Sequence, residues 1–514
     1  MSQTLTIRGR GNFPAFLLPL AAIPAGLAAL PVFYVVMRSS DAGFAGMISE
    51  IIRPATRELL ASTLILAGSV TFLSAALAIA FAWATERCAL PGKGALRVIA
   101  TLPLAMPAFV ASYAWASLGP WFQGMAGAIL ILTLNCVPLI YLPFAAALKG
   151  MDPAFEEAAR TLGRSRWQAF GAVILPQAAP ALGAGALLVF SHMLAEFGAL
   201  SFLQVQTFTT AIFQQYDIQF DSAAAALLSS ILLLLCLPVV MMELRLRDNR
   251  RLSRLGRGNA RPLPLIALSA GVVTAALSGF ALFAALAVGA PLVTLFYWLV
   301  TGTSAGTGLE RLLPAVWGSL SFSLPGAALT TALALPLVLL SMRRGGAAVS
   351  LAERLPFVIH GLPGLVIALA LVFFSIRYAP WAYQSWGLVL VAYVMLFLPQ
   401  AQSSIRASAE LVSPELEDVA RTLGESPLRA FARVTLPNLI PGLGAGLALV
   451  TLQLMRELTA TLLLAPSGVS TLATEFWSYT NERAFAAAAP FAAALVIVSG
   501  VPVFLFTLRG LRRG

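Results

Sequence analysis

Three observations predict an all-α integral membrane protein with twelve transmembrane helices, built as two tandem six-helix units. First, 59% of the 514 residues are hydrophobic and only 11% are charged. Second, twelve apolar runs are long enough to cross a bilayer. Third, the second half of the chain repeats the first. A soluble protein carries about 25% charged residues. So much apolar side chain cannot be covered by a hydrated shell, and a soluble domain is excluded.

The runs fall near 13–37, 59–84, 97–118, 124–147, 178–203, 222–242, 265–300, 316–341, 355–376, 386–405, 439–464 and 485–508. A helix needs about 20 residues to span the hydrocarbon layer. The first run follows Arg8 and Arg10 and has no convincing small-residue cleavage site, so it reads as a retained span rather than a signal peptide. The seventh run is too long for one straight helix and contains Pro291. It fits one kinked helix, a helix with an interfacial piece, or two spans.

Charge placement decides among these. With both termini inside, the inner segments hold 26 lysines and arginines and the outer segments 6, with Arg456 left within a span. An extra span in the seventh run would spoil this positive-inside asymmetry. The net charge of +11 is therefore a matter of membrane topology and not of nucleic-acid binding. The basic stretch Arg245 to Arg261, "RLRDNRRLSRLGRGNAR", reads as a cytoplasmic linker. The expected domains are residues 1–245, a linker at 246–262, and residues 263–514.

The repeat is explicit at an offset of 261. Residues 153–189 align without a gap on 414–450, with 20 of 37 positions identical, and Pro138 matches Pro399 as Glu196 matches Glu457. Six spans per unit give both units the same orientation. The pseudo-two-fold axis then runs along the membrane normal.

The repeated segment encodes a short amphipathic helix. Asp152-Pro153 and Ser413-Pro414 place a capping residue before a proline at the first helical position. Glu156, Glu157, Glu417 and Asp418 suit the positive end of the helix dipole, and Gly163 and Gly424 are suitable stops. Phe155, Ala158, Ala159 and Leu162 form an apolar stripe at i, i+3, i+4, i+7, as do Leu416, Val419, Ala420 and Leu423. Glu156 with Arg160, and Glu417 with Arg421, form i, i+4 pairs on the other side. Leu175-Pro176 and Leu436-Pro437 are expected to break the chain before the next span. One such helix fits a loop lying on its own bundle. Two, with the same cap, stripe and glycine, fit a surface that meets a two-fold partner.

At these residues the chain resembles the membrane subunits of binding-protein-dependent ABC importers of the type I, MetI-like class. Their motif is EAA, three residues, Gly, nine residues, a hydrophobic residue and x-Leu-Pro. The first copy supplies Glu157-Ala158-Ala159, Gly163, Val173 and Leu175-Pro176; the second supplies Asp418-Val419-Ala420, Gly424, Val434 and Leu436-Pro437. The second copy departs at two EAA positions. The resemblance implies that both helices seat in grooves on two separate ATPase subunits, with ATP and magnesium bound there and no cofactor on this chain. No Walker A pattern occurs in this sequence. It further implies a periplasmic binding protein, a bacterial inner-membrane location and no catalytic site of the chain's own.

Two stretches, from Leu194 and from Met455, resemble the fused permeases of ferric-iron importers; thiamine, phosphonate, polyamine and sulfate permeases share much of the architecture. A twelve-span secondary transporter is the more distant alternative, and no nucleophile–base or metal-ligand constellation supports an intramembrane enzyme.

His192 with Glu196, and Gln453 with Glu457, present i, i+4 polar pairs on matched faces of spans five and eleven, which pseudo-symmetry could bring together at the central axis. Intramembrane carboxylates mark a pathway or a partner. Pathway lining is one reading and interhelical hydrogen bonding is the other, for example with Arg456. His360, before "GLPG", has no polar counterpart in the first half and reads as structural. Aromatic residues of the outer segments, Phe208, Phe213, Tyr216, Phe476, Trp477 and Tyr479, fit an interfacial belt or the docking of a binding protein. Cys88, Cys136 and Cys236 show no metal or disulfide spacing and are expected to be buried and inert.

Overall fold

The computed structural model describes residues 17–252, 265–302, 305–343, 346–412 and 415–512. Arg8, Arg10, most of the basic linker and the Ser413-Pro414 helix start lie outside the described residues.

A chain in hydrocarbon must satisfy its backbone groups internally, which leaves helices for a sequence of this kind. Among the described residues the structure is helical, with one isolated bridge between Cys88 and Ile266. Eight helices are long and apolar enough to cross a membrane: Pro54–Arg87, Gly124–Lys149, Phe170–Ala195, Ser222–Glu243, Ala270–Thr301, Glu310–Met342, Trp386–Ala409 and Pro427–Leu454. Two more apolar stretches are sharply bent helix pairs. Lys93–Ala105 with Ala108–Ser117 turns by 85°, and Val349–His360 with Gly364–Tyr378 by 108°. The shorter apolar helices Ala21–Met37 and Phe485–Gly500 complete the set, so each of the twelve apolar runs falls on one of these elements.

The long seventh run is a single helix. It takes a π-turn over Ala285–Gly289, directly ahead of Pro291. Proline has no N–H and its ring crowds the preceding turn; one extra residue in that turn relieves the conflict without ending the helix.

Packing forms two compact units, one of residues 1–44 with 311–475 and the other of 45–310 with 476–514. Packing and sequence repeat thus partition the chain differently. In the first of these units, Phe33 stacks on Phe374 at 5.9 Å and Tyr34 packs at a tilt against Phe373 at 5.4 Å, tying the chain's first helix to Gly364–Tyr378. In the other, the Tyr113 hydroxyl donates to the Phe485 carbonyl at 2.5 Å, tying in the last helix. Small residues let the long helices approach closely. A Cβ on Gly185 would sit 2.9 Å from Ile140 Cα, and one on Gly442 would sit 2.8 Å from the Ser404 carbonyl oxygen.

Each kink is stitched to its neighbouring long span. Asn135 Nδ2 donates to the Met106 carbonyl at 2.9 Å. His360 Nδ1 meets the Leu396 carbonyl at 2.5 Å. Asn135 and Leu396 are equivalent repeat positions, so the polar side chain has moved from the long span to the kink. His360 therefore has a counterpart in role, which the sequence alignment hides.

Three sequence expectations need correction. Leu175-Pro176 and Leu436-Pro437 do not break the chain. π-turns at Phe170–Ile174 and Phe431–Thr435 absorb them, and the helix runs on into the span. Spans five and eleven end earlier than expected, at Ala195 and Leu454. Residues 196–203 and 457–464 turn off into the short helices Gly198–Phe202 and Thr459–Leu464. Finally, Phe208, Phe476 and Trp477 are buried rather than belted around the surface. Phe476 and Trp477 pack on Phe202 at 5.6 and 5.1 Å, and Trp477 on Phe197 at 5.1 Å. All three cysteines are free and buried.

Candidate functional site: two repeated amphipathic helices and two broken spans

The first repeated helix is Pro153–Thr161. Asp152 caps it by accepting from the Ala154 N–H at 2.9 Å. Gly163 ends it with φ +83°, a conformation that costs a residue with a side chain. The Gly163 and Arg164 amides donate back to the Arg160 and Ala159 carbonyls at 3.0 and 3.2 Å. The next helix begins at once: Ser165 and Gln168 exchange side-chain and backbone bonds of 3.0 and 3.3 Å in a capping box. It then runs through the π-turn into the span. A short, hydrogen-bonded connection therefore joins the surface helix to the span, with only residues 162–165 between them.

The second copy follows the same plan. Its helix is Glu415–Thr422, Gly424 takes φ +92°, and Ser426 accepts from the Arg429 N–H at 3.4 Å to start the next helix.

The apolar stripe does not pack on the helix's own bundle. Only Ala159 of the first stripe is buried, whereas Phe155 is 57% and Leu162 82% exposed. In the second copy Leu416, Val419 and Leu423 are 50%, 54% and 80% exposed. Glu157, Arg160, Arg164 and Gln168 border a shallow depression beside the first helix. Asp418 is exposed like Glu157, and Ala420 is half-buried.

Glu156 and Glu417 each take a partner beyond their own helix. Glu156 is buried and pairs with Arg87, at the end of Pro54–Arg87, whose side chain is 1% exposed. Arg87 also lies 5.5 Å from the Trp83 ring centroid, and its carbonyl accepts from the Ile266 N–H at 2.8 Å. Glu417 instead accepts from the Thr435 hydroxyl at 2.9 Å, inside its own following π-turn. The position 261 residues after Arg87 is Ala348, and the one 261 residues before Thr435 is Ile174. The first helix is thus anchored to another span and the second to its own continuation. Sequence reading missed Arg87 and Thr435. The signal was the failure of the repeat at those two positions, since a lone difference in an imperfect repeat does not announce a contact.

The matched polar residues sit where the spans break. Glu196 is the residue after the helix end, and its Oε1 accepts from the Ala199 N–H at 2.9 Å. His192 Nε2 lies 3.6 Å from Glu196 Oε2. In the second copy Glu457 accepts from the Ala460 and Thr461 amides, both at 3.0 Å, and from the Thr461 hydroxyl at 2.8 Å. Gln453 does not mirror His192 in facing the glutamate: its Oε1 accepts from Arg456 Nε at 3.0 Å. Among the described residues no group of three or more His, Cys, Asp or Glu side chains comes together to hold a metal.

The family described as "Binding-protein-dependent transport system inner membrane component" matches this chain twice, at residues 76–248 and 333–510. The chain is 42% identical over 495 residues to the Fe(3+)-transport system permease protein FbpB 2 of Haemophilus influenzae, covering 96% of this chain and 98% of the relative. It is 23% identical over 492 residues to the ferric transport system permease protein FbpB of Actinobacillus pleuropneumoniae, covering 87% and 70%. It is 29% identical over 225 residues to the sulfate transport system permease protein CysT of Escherichia coli, covering 40% and 81%. With one family match per repeat, and a relative aligned along nearly its whole length, the chain belongs to the inner membrane components of binding-protein-dependent transport systems.

Proposed function

We propose that the chain is the fused, two-unit permease of a ferric-iron ABC importer. Fe(III) delivered by a periplasmic binding protein crosses through it, and ATP hydrolysed on two separate subunits drives the crossing. The observation that carries the iron assignment is the 42% identity along 98% of a permease named for Fe(3+) transport. The coupling role rests on the two exposed apolar stripes, each borne by a helix that is nearly continuous with a span.

In this reading the repeated helices lie on the cytoplasmic side and enter grooves on the ATPases. Phe155, Leu162, Leu416, Val419 and Leu423 supply the apolar contact, and Glu157 and Asp418 the polar edge. Gly163 and Gly424 end each helix sharply, so that movement of the ATPase is passed into the span through the π-turn ahead of Pro176 or Pro437. Closure of the ATPases then rocks the spans between inward and outward access. The chain performs no covalent chemistry and binds no cofactor.

The test is uptake by proteoliposomes holding the permease, with Fe(III)-, thiamine- and sulfate-loaded binding proteins compared side by side. Uptake of Fe(III) that requires both added ATPase and ATP is expected. Uptake without ATPase would make the chain a secondary transporter, and uptake of thiamine or sulfate alone would overturn the iron assignment.

A further inference from the structure

We propose that Glu196 and Glu457 are positioning residues that hold the breaks in spans five and eleven open, and are not ligands of the cargo. The proposal rests on the transport reading for its functional consequence only. A span that stops inside the membrane leaves the first N–H groups of the next helix without partners, and in hydrocarbon each such group is costly. Both breaks meet this demand with the same residue type at the same repeat position. Glu196, with φ −68° and ψ 128°, leaves the helix, and its carboxylate turns forward onto the Ala199 amide. Glu457 turns forward onto two amides and one hydroxyl with both of its oxygens.

The surroundings fasten each break from a second side. The Thr209 hydroxyl donates to the Glu196 carbonyl at 2.5 Å. Thr461, held by Glu457, is 2.7 Å from the Tyr393 hydroxyl on Trp386–Ala409. A Cβ on Gly364, the first residue after the 108° kink, would lie 3.8 Å from Glu457 Oε1. The carboxylate thus stands where the kinked crossing meets the short helix Thr459–Leu464. Both oxygens of Glu457, and Oε1 of Glu196, are thus oriented by donors of their own chain. A glutamate serving as a cation ligand would point its oxygens at the cargo and not at the amides behind it.

The two roles differ in what glutamine can replace. The single side-chain oxygen of glutamine can accept the Ala199 amide in place of Glu196, and one side of the Glu457 cap, but is a poor ligand for Fe(III); alanine does neither. The assembled transporter, with ATPase and binding protein, is compared as E196Q, E457Q, E196A and E457A for Fe(III) uptake. Amide hydrogen exchange of the permease is followed over residues 198–202 and 459–464.

E196Q is expected to keep uptake within about threefold, and E457Q, which keeps one of two accepting oxygens, to fall between wild type and E457A in both uptake and amide protection; neither is expected to change the apparent affinity for loaded binding protein. The alanine variants are expected to lose about tenfold of the amide protection in their own short helix and to lower the maximal rate without changing that affinity. Glutamine variants that lose uptake as fully as alanine, with amide protection intact, overturn the proposal in favour of a ligand role. Should alanine prevent accumulation of the protein, the glutamine pair decides. A wild-type protein that moves no Fe(III) sinks the iron assignment alone, because amide exchange reads the capping without any cargo.

Discussion

The two repeated helices have nearly the same sequence and the same exposed stripe, yet they are held differently. The first is tied by a buried Arg87–Glu156 pair to the end of Pro54–Arg87. The second is tied through Glu417 to the Thr435 hydroxyl, in the turn that follows it. The outward face is set by what both copies must present, and each inward face by what its own unit offers. A buried ion pair tolerates little change, because losing one partner strands the other charge. A hydroxyl–carboxylate bond can be lost at modest cost. The first helix should therefore be the stiffer handle and the second the more yielding one.

The largest effect should come from the feature the helices share. Leu162→Asp with Leu423→Asp places a charge at the most exposed point of each stripe. Stimulated ATPase activity and uptake are expected to fall by about a hundredfold, as for the loss of two central interface anchors. Unchanged coupling would remove the stripes from the interface.

The next effect separates the helices. Glu156→Ala leaves Arg87 buried without its carboxylate and should cost about 3–5 kcal/mol, whereas Glu417→Ala should cost about 1 kcal/mol. Thermal unfolding, with limited proteolysis near 153–165 and 415–426, reads both; equal losses would break the asymmetry.

The smallest effect should again be symmetric. Gly163→Ala and Gly424→Ala each force a side chain into the left-handed region, at about 1 kcal/mol apiece. A clear difference between them would show that the second stop is strained by its own anchor.

The large features were legible because they depend on local chemistry. Apolar length located twelve runs that all fall on apolar helices or bent helix pairs, and the bias of lysine and arginine kept the long seventh run to one helix. Asp152-Pro153 and Gly163 bounded the first surface helix. What was not legible depends on partners far along the chain. Glu156 looked like half of an i, i+4 pair with Arg160, since sequence spacing shows no residue 69 positions away. Phe476 and Trp477 looked interfacial because buried and interfacial aromatics share the same composition. The Leu-Pro dipeptides looked like breaks, yet the strain of a single proline can be spread over a π-turn when the helix on each side is held in place.

Composition and repetition therefore specify the class of the molecule, its duplicated plan and the place of its two surface helices, because hydrophobicity, capping and glycine stops act within a few residues. The anchoring of those helices, the ends of spans five and eleven, and the stitching of the kinks by Asn135 and His360 were settled by packing. Their physical cause is common to all: a backbone or charged group displaced from water takes whichever donor or acceptor the neighbouring helix brings to it. That neighbour is chosen by the fold and not by distance along the chain.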